Sequence, residues 1–306
     1  MMLRAYCEVW RNIMSKSLTG QFHIGFRRDW SAWQRDLAGL LRFARDNDFS
    51  FLDVGPMPAA ELTQIAQAGV GIGSMDLYDW PAMACADAAK QQAAIDKNEA
   101  AIRAAVSCGV QIFFVVIMPE NPAEARSTNF TLAVAGWSRL ASAVAELGAK
   151  IVIEGWPGRS PHYASLACTP ADYRAFLRQM PSNVGINFDP SHLIRMGCDP
   201  LRFVKEFASR IWHVHAKDTV LLPDGLYEHG NLQPATFEKP HEFGGHHWRY
   251  AIPGRGQAPW RDLLAVLAEN RFGGKVSIEL EDEEFCRTAE SEQEGLLLSR
   301  RFLEQT

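Results

Sequence analysis

The sequence predicts an α/β protein built as a single (β/α)8 (TIM) barrel. Three observations predict it. From Gln21 onward, strand-like and helix-like segments alternate through eight units. The strand-like runs are almost wholly apolar, as strands of a parallel sheet covered by helices are. Four consecutive strands in the second half end in an ionisable side chain, and a barrel gathers the carboxyl ends of its strands on one face. Eight such units suit a closed barrel better than an open doubly wound sheet.

Residues 22–26 are the first strand. Residues 30–46 then set Trp30, Trp33, Leu37, Leu40, Leu41 and Ala44 at helical spacing. Residues 49–54 form the second strand, 61–68 a short helix, and 69–77 a third strand rich in glycine and small residues. The stretch 83–108, dense in Ala, Gln and Lys, predicts a long helix stopped near Gly109. Residues 110–118 are the fourth strand, 129–147 a helix ended by Gly148, and 150–154 the fifth strand. Thr169-Pro170 starts the next helix, with Thr as N-cap and Pro in the first turn. Strand six covers 184–189, helix six 199–209 and strand seven 211–215. A polar segment rich in Gly and His, 219–257, is too long for a routine loop and predicts a functional insertion over the site between strands seven and eight. A helix at 260–270, the eighth strand at 275–279 and a last helix at 289–304 complete the chain.

The ionisable strand ends are Glu154, Asp189, His215 and Glu279. Taken singly, an acid there is usually a cap or an ion-pair partner, because strand ends are polar anyway. Four on strands five to eight make one site for a divalent metal. Mixed oxygen and nitrogen donors suit Mn²⁺, Mg²⁺, Co²⁺ or Zn²⁺, and the absence of thiolate argues against a structural zinc site. No GxGxxG follows the first strand and no GxxxxGK[ST] occurs, so the usual dinucleotide and triphosphate sites are not expected.

Composition sets further bounds. The 306 residues carry 47% hydrophobic and 22% charged side chains, ordinary for a globular protein. The length admits two domains, but no boundary is visible, and the expected division is an extension over 1–20 and a barrel over 21–306. A net charge of -5 offers no basic footprint for nucleic acid. Six scattered cysteines (Cys7, Cys85, Cys108, Cys168, Cys198, Cys286) form no CxxC pair, which predicts free thiols in a reducing cytoplasm. Residues 1–18 are interrupted by Arg4, Glu8, Arg11 and Lys16, unlike a signal peptide, and no apolar run approaches the ~20 residues of a membrane span. A homo-oligomer formed through rim loops is compatible with the sequence, which fixes no subunit number.

Glu154 in IVIEGWPG, Asp189 and His192 in NFDPSH, His213 and His215 in HVHAKD, and Glu279 in SIELED resemble the sugar-phosphate isomerase/epimerase family, with IPGRG before Trp260 adding to the likeness. This is the xylose-isomerase-like barrel group, which includes ketohexose 3-epimerases, hydroxypyruvate isomerases, inosose dehydratases and apurinic endonucleases. The resemblance runs from about residue 22 to the end and is most specific over 151–282.

The resemblance implies one divalent ion, Mn²⁺ in first place, held by Glu154, Asp189, His215 and Glu279. It also implies that Glu154 and Glu279 flank a sugar and move a proton on and off a carbon beside a carbonyl, and that His192 holds a substrate oxygen. Other residues are read more openly. Trp156 is a flat wall for a sugar ring or plain rim packing. Lys217 and Asp218 bind a substrate oxygen and orient His215, or form an ordinary ion pair. Glu281 supports the site or makes a surface salt bridge. His213 lies one layer deeper and is expected to be a hydrogen-bonded interior group. His246 and Arg249 of the insertion reach the substrate or serve an oligomer contact.

Two departures narrow the field. Ketohexose 3-epimerases carry a substrate-binding Arg six residues after the metal histidine, and Leu221 stands there. The apurinic endonucleases need further metal-binding histidines on early strands and in the loop before the last strand, and the early strand ends here (Pro56, Asp76 or Asp79, Met118-Pro119) offer none. The leading expectation is a metal-dependent isomerase or epimerase working through an enediolate on a sugar or keto sugar. The alternatives are a metal-dependent lyase or dehydratase on a keto sugar, inosose or 3-keto glycoside, and a non-catalytic binding subunit, against which the complete Glu-Asp-His-Glu set argues.

Overall fold

The structure, a computed structural model, describes residues 15–158, 165–231 and 239–306. Eight parallel strands close into a barrel in the order β1 (Ile24–Arg27), β2 (Phe51–Val54), β3 (Gly71–Asp76), β4 (Ile112–Val116), β5 (Lys150–Glu154), β6 (Val184–Phe188), β7 (Ile211–Ala216) and β10 (Val276–Ile278), which returns to β1. Every neighbouring pair is parallel, so all carboxyl ends share one rim.

Strand alternation divides each strand between two environments. Ile151 and Ile153 face the helix layer and join the main core with Trp137 and Leu140. Val152 faces the lumen, where it packs with Phe114 and Val116. Glu154 has the parity of Val152, and so the strand that buries its apolar neighbours delivers this carboxylate inward, 4% exposed.

The helices largely follow the expected pattern. Ser31 and Asp36 flank α1 (Ala32–Arg35), and α2 (Leu37–Asp46) follows. The periodic run 30–46 is therefore two helices, broken at Asp36, whose ψ of 89° leaves the helical region. Next come α3 (Ala59–Gln67), α4 (Ala88–Ser107) and α5 (Arg126–Ala143). Gly109 adopts φ +90 just past α4 and Gly148 φ +68 before β5, the left-handed turns anticipated at both places. The helix α6 (Pro170–Leu177) opens on Thr169, whose side chain and that of Asp172 form a capping box, an arrangement worth about 1 kcal/mol.

Beyond β6 the structure adds elements that periodicity did not reveal. A six-residue helix, α7 (Pro190–Arg195), starts at Asp189, and α8 (Pro200–Phe207) follows it. Between β7 and the helix α10 (Trp260–Glu269), the chain forms an antiparallel pair, β8 (Asp218–Leu221) and β9 (Trp248–Ala251), with α9 (Pro223–His229) between them. These elements are short, and their residues lack a clean period of two or 3.6. Residues 232–238 of that segment lie outside the described residues, as do 1–14 of the expected extension and Cys7 within it. The helix α11 (Ala289–Glu304) closes the barrel, and Thr19 bonds the carbonyl of Thr306, tying residues 15–20 to its end. Among the described residues no helix is long and apolar enough to cross a membrane, and the five described cysteines are free thiols.

Candidate active site

Register alone brings the strand-end residues level. Ile153 pairs with Ile186, so Glu154 stands beside Asn187, whose Nδ2 donates to Glu154 Oε1 at 2.7 Å. Phe188 pairs with Val214, which sets Asp189 beside His215. Ile278 pairs with Ala216, which sets Glu279 beside Lys217. The barrel thus gathers Glu154, Asp189, His215, Lys217 and Glu279 at one end of the lumen.

The contacts are close. Lys217 Nζ lies 2.5 Å from Glu279 Oε2, 2.8 Å from Glu281 Oε2 and 3.3 Å from Asp189 Oδ2. His192 Nε2 is 3.3 Å from both Glu154 Oε2 and Asp189 Oδ2, and its Nδ1 meets the Tyr250 hydroxyl at 2.7 Å. His215 stacks on Phe114 with ring centres 5.1 Å apart and puts Nδ1 2.7 Å from Glu154 Oε1 and 3.5 Å from Glu279 Oε2. Below it, His213 Nε2 meets Asp53 Oδ2 at 2.8 Å, and the same oxygen is 3.4 Å from His215 Nε2. The interior role expected of His213 is the one it has.

These contacts fix the charges. Burial pushes Glu154 up, and Glu279 repels it, but His215 and His192 outweigh both and hold it at about 2. Burial likewise opposes the ionised Glu279, yet Lys217, His215 and Arg27 keep it well below the usual carboxylate range. His215 is raised well above an ordinary imidazole, since Glu279 and Glu154 overcome the effect of burial. Lys217 is raised in the same way by Glu279, Glu281 and Asp189. Burial dominates at Asp189 and raises it, with only partial relief from His192 and Lys217. Burial also lowers His213. A neutral His213 then carries its proton on Nε2, donated to Asp53.

The donor set fits a divalent ion. Ligand atoms of Glu154, Asp189, His192 and Glu279 all lie within 4.8 Å of one another, and those of Asp53, His213 and His215 form a second grouping. Among the described residues Asp189 Oδ2 has no aligned hydrogen-bond donor, although Lys217 Nζ and His192 Nε2 each lie 3.3 Å away. Buried acceptors left unpaired are costly unless something meets them. Carboxylate and imidazole donors without thiolate suit a hard or borderline divalent ion.

The remaining expected residues divide. Trp156 and His246 line a cavity of about 910 Å³ that opens beside the site and reaches Tyr250 and Glu281. Arg249 does not reach it: its guanidinium pairs with Glu284 at 3.0 Å and lies 3.7 Å from Asp282. Asp218 turns away from His215. Its carboxylate accepts from the backbone of Thr219, Gly254 and Ala258 and from Trp260 Nε1, and so it folds the IPGRG loop. Glu281 takes the supporting position, through Lys217.

Sequence reasoning missed five residues here: Arg27, Asp53, Asp76, Asn187 and Tyr250. Arg27, at the end of β1, clamps Asp76 with bonds of 2.9 and 2.5 Å and approaches Glu279 Oε1 at 3.4 Å. Asn187 and Asp53 carried a usable signal, being polar residues inside apolar strands. The pairing of β2 with β3 also shifts register between Leu52 and Val54, where Asp53 enters the lumen. Such irregularities re-aim side chains near sites. Tyr250 carried none, because its position depends on the β8–β9 pairing.

Comparison with known proteins agrees with this architecture. The xylose isomerase-like TIM barrel family model matches residues 40–306. The uncharacterized protein YfiH of Bacillus subtilis (strain 168) is 36% identical over 101 residues, 32% of this chain and 31% of that protein. An inosose dehydratase of Clostridium botulinum (strain Alaska E43) is 28% identical over 149 residues, 48% of this chain and 46% of that enzyme. The matches thus span between about a third and a half of these curated relatives. Among solved structures, the 3-keto-D-glucoside 4-epimerase of E. coli superposes over 92% of this chain and 99% of its own, with TM-score 0.67 and 13% identity. The D-psicose 3-epimerase of Clostridium cellulolyticum H10 superposes over 93% and 100%, with TM-score 0.68 and 12% identity. At such identities the likeness is one of fold.

Proposed function

This chain belongs to the xylose isomerase-like TIM barrel family, and from that premise we propose that it is a divalent-metal-dependent isomerase or epimerase acting on a sugar or keto sugar. One observation carries the reading. Two carboxylates, the buried Glu154 and the largely covered Glu279, converge on one end of the lumen, and His215, with His192 beside the first and Lys217 beside the second, holds both below the usual carboxylate range. An ionised carboxylate beside a bound sugar takes a proton from the carbon next to a carbonyl, and the carboxylic acid so formed, or the second carboxyl once it has taken up a proton, returns one to the enediolate.

In this reading Glu154 and Glu279 are the two bases and, with Asp189 and His215, the ligands of one ion, Mn²⁺ in first place. His192 is a further donor at the same place. When bound, such an ion polarises carbonyl and hydroxyl oxygens of the substrate as a Lewis acid. His192, steadied by Tyr250, holds a substrate oxygen. Lys217 keeps Glu279 ionised and offers an ammonium to charge that develops on an enediolate. Trp156 supplies a flat wall. Residues 21–306 are the catalytic unit, working in the cytoplasm on a small carbohydrate.

A second reading, a lyase or dehydratase on a keto sugar, inosose or 3-keto glycoside, uses the same base. It is favoured by His246, whose Nε2 is buried with no hydrogen-bond partner among the described residues and whose side chain lines the cavity, where it would serve a leaving group. Product analysis separates the two: a stereoisomer or ketose–aldose partner supports the isomerase, an unsaturated or truncated product the lyase.

The test is Glu154→Gln and Glu279→Gln in the metal-loaded protein, on a substrate verified from a panel of keto sugars, inososes and 3-keto glycosides. Each is expected to lower turnover by about 10²–10⁴-fold. Full turnover by both variants rules out the two-base reading.

A further inference from the structure

The cavity beside the site is larger than a single sugar ring requires. Sites for drug-sized ligands run from about 300 to 1,000 Å³, and this one, at about 910 Å³, stands near the top. Its inner end is Trp156, Tyr250 and Glu281. Trp156 lies two residues past Glu154, the Tyr250 hydroxyl touches His192, and Glu281 holds Lys217. The inner end of this space thus abuts side chains that contact the cluster of Glu154, Asp189, Lys217 and Glu279, and a ligand seated against that cluster extends into it.

The outer part is apolar and ringed. Leu221 and Leu222 come from the end of β8, Trp248 from its partner strand β9, Leu226 from α9, and Phe243 from the segment before β9. Leu226 is 49% exposed at this lip. A large apolar side chain left open beside an apolar cavity gains from being covered. The rings of His229 and His246 lie with centres 4.5 Å apart, tilted by 35°.

Charge decides which ligand suits it. The charged side chains of Asp, Glu, Lys and Arg along the described lining are Arg195, Glu242 and Glu281. The Arg195 guanidinium is committed, 4.3 Å over the Trp248 ring and bonded to the Gly158 carbonyl at 2.8 Å. With Arg195 committed and Glu281 paired to Lys217, no Lys or Arg of the described lining is left to meet a phosphate. Aromatic faces and leucines favour a flat, neutral ring.

We propose that this cavity is a subsite for a neutral aromatic group attached to the sugar, so that the substrate is a glycoside with a flat apolar aglycone. The buried Nε2 of His246, without a hydrogen-bond partner among the described residues, provides one hydrogen bond to an oxygen of that aglycone or to its glycosidic link. This rests on the sugar-directed reading above and names the substrate class within it.

The experiment compares phenyl and methyl 3-keto-glucosides on the metal-loaded full chain, with binding followed by indole fluorescence and titration calorimetry and turnover recorded alongside. The phenyl compound is expected to bind about tenfold tighter or more. Leu226→Glu, at a half-exposed position that tolerates charge, and Trp248→Ala are each expected to cut that advantage to about twofold or less and to leave the methyl compound's Kd unchanged. Equal affinity for the two compounds in the unmodified protein overturns the subsite, as does an advantage that survives both substitutions, or no binding of either. Turnover of both compounds without a phenyl advantage removes the subsite and keeps the sugar-directed reading. A phenyl advantage lost in both variants, with no turnover of either compound, keeps the subsite and removes that reading.

Discussion

Lys217 Nζ stands 2.5 Å from Glu279 Oε2, at the centre of three carboxylates that also include Glu281 and Asp189. The ammonium is 2% exposed. Removing one partner of a buried charge cluster leaves the others uncompensated. Lys217→Met is therefore expected to destabilise the metal-free protein by about 3–5 kcal/mol. It is also expected to bind Mn²⁺ more tightly, because a competing cation is gone, and to turn over more slowly. Calorimetric titration of metal into the variant checks this; unchanged or weaker Mn²⁺ binding would sink the idea that Lys217 shares these carboxylates with an ion.

Asp53 sits one layer beneath the rim, 2.8 Å from His213 Nε2 and 3.4 Å from His215 Nε2. A carboxylate behind a ligating imidazole fixes its tautomer and orientation, and losing such a partner typically costs 10–100-fold in metal affinity. Asp53→Asn is expected to weaken Mn²⁺ binding by about that factor with the fold intact, as read by circular dichroism beside the titration. Wild-type affinity in the variant would leave Asp53 as packing alone.

The charge states set a direction for pH. His215 is raised well above its ordinary value by Glu279 and Glu154, so without metal its ring is protonated at neutral pH. An ion that takes a ring nitrogen must displace that proton. Below the raised pKa, affinity is expected to fall about tenfold for each unit of acidification, and to level off above it. Asp189, raised by burial, adds a second proton further into acid. Glu154, held at about 2, adds none in this range. Titrations at several pH values, each in two buffers of different ionisation enthalpy, count the protons released; pH-independent affinity would exclude His215 as a ligand.

Gly136 lies inside α5, where alanine normally stabilises a helix by about 1 kcal/mol relative to glycine. Here a Cβ would come 2.0 Å from the Met83 carbonyl oxygen. Gly136→Ala is expected to destabilise the protein by about 1–3 kcal/mol. Urea denaturation measures it, and a gain in stability would mean that α5 and the turn at Met83 separate freely.

The chain by itself determined the barrel and most of its rim. Eight apolar runs separated by amphipathic helices leave few other ways to bury both faces of every strand. Strand parity then sends Glu154, Asp189, His215 and Glu279 inward, because each follows the lumen-facing alternation of its own strand. Tertiary structure decided the rest. Register set Lys217 against Glu279. A shift in pairing admitted Asp53 beneath the two histidines. The β8–β9 pair carried Tyr250 to His192 and turned Arg249 toward the acidic run at 282–284. Asp218, adjacent in sequence to Lys217, went to the IPGRG backbone. The physical reason is the range of the information. A side chain's face follows from residues next to it, whereas its partner follows from strands and loops brought together from 35 to 160 residues away.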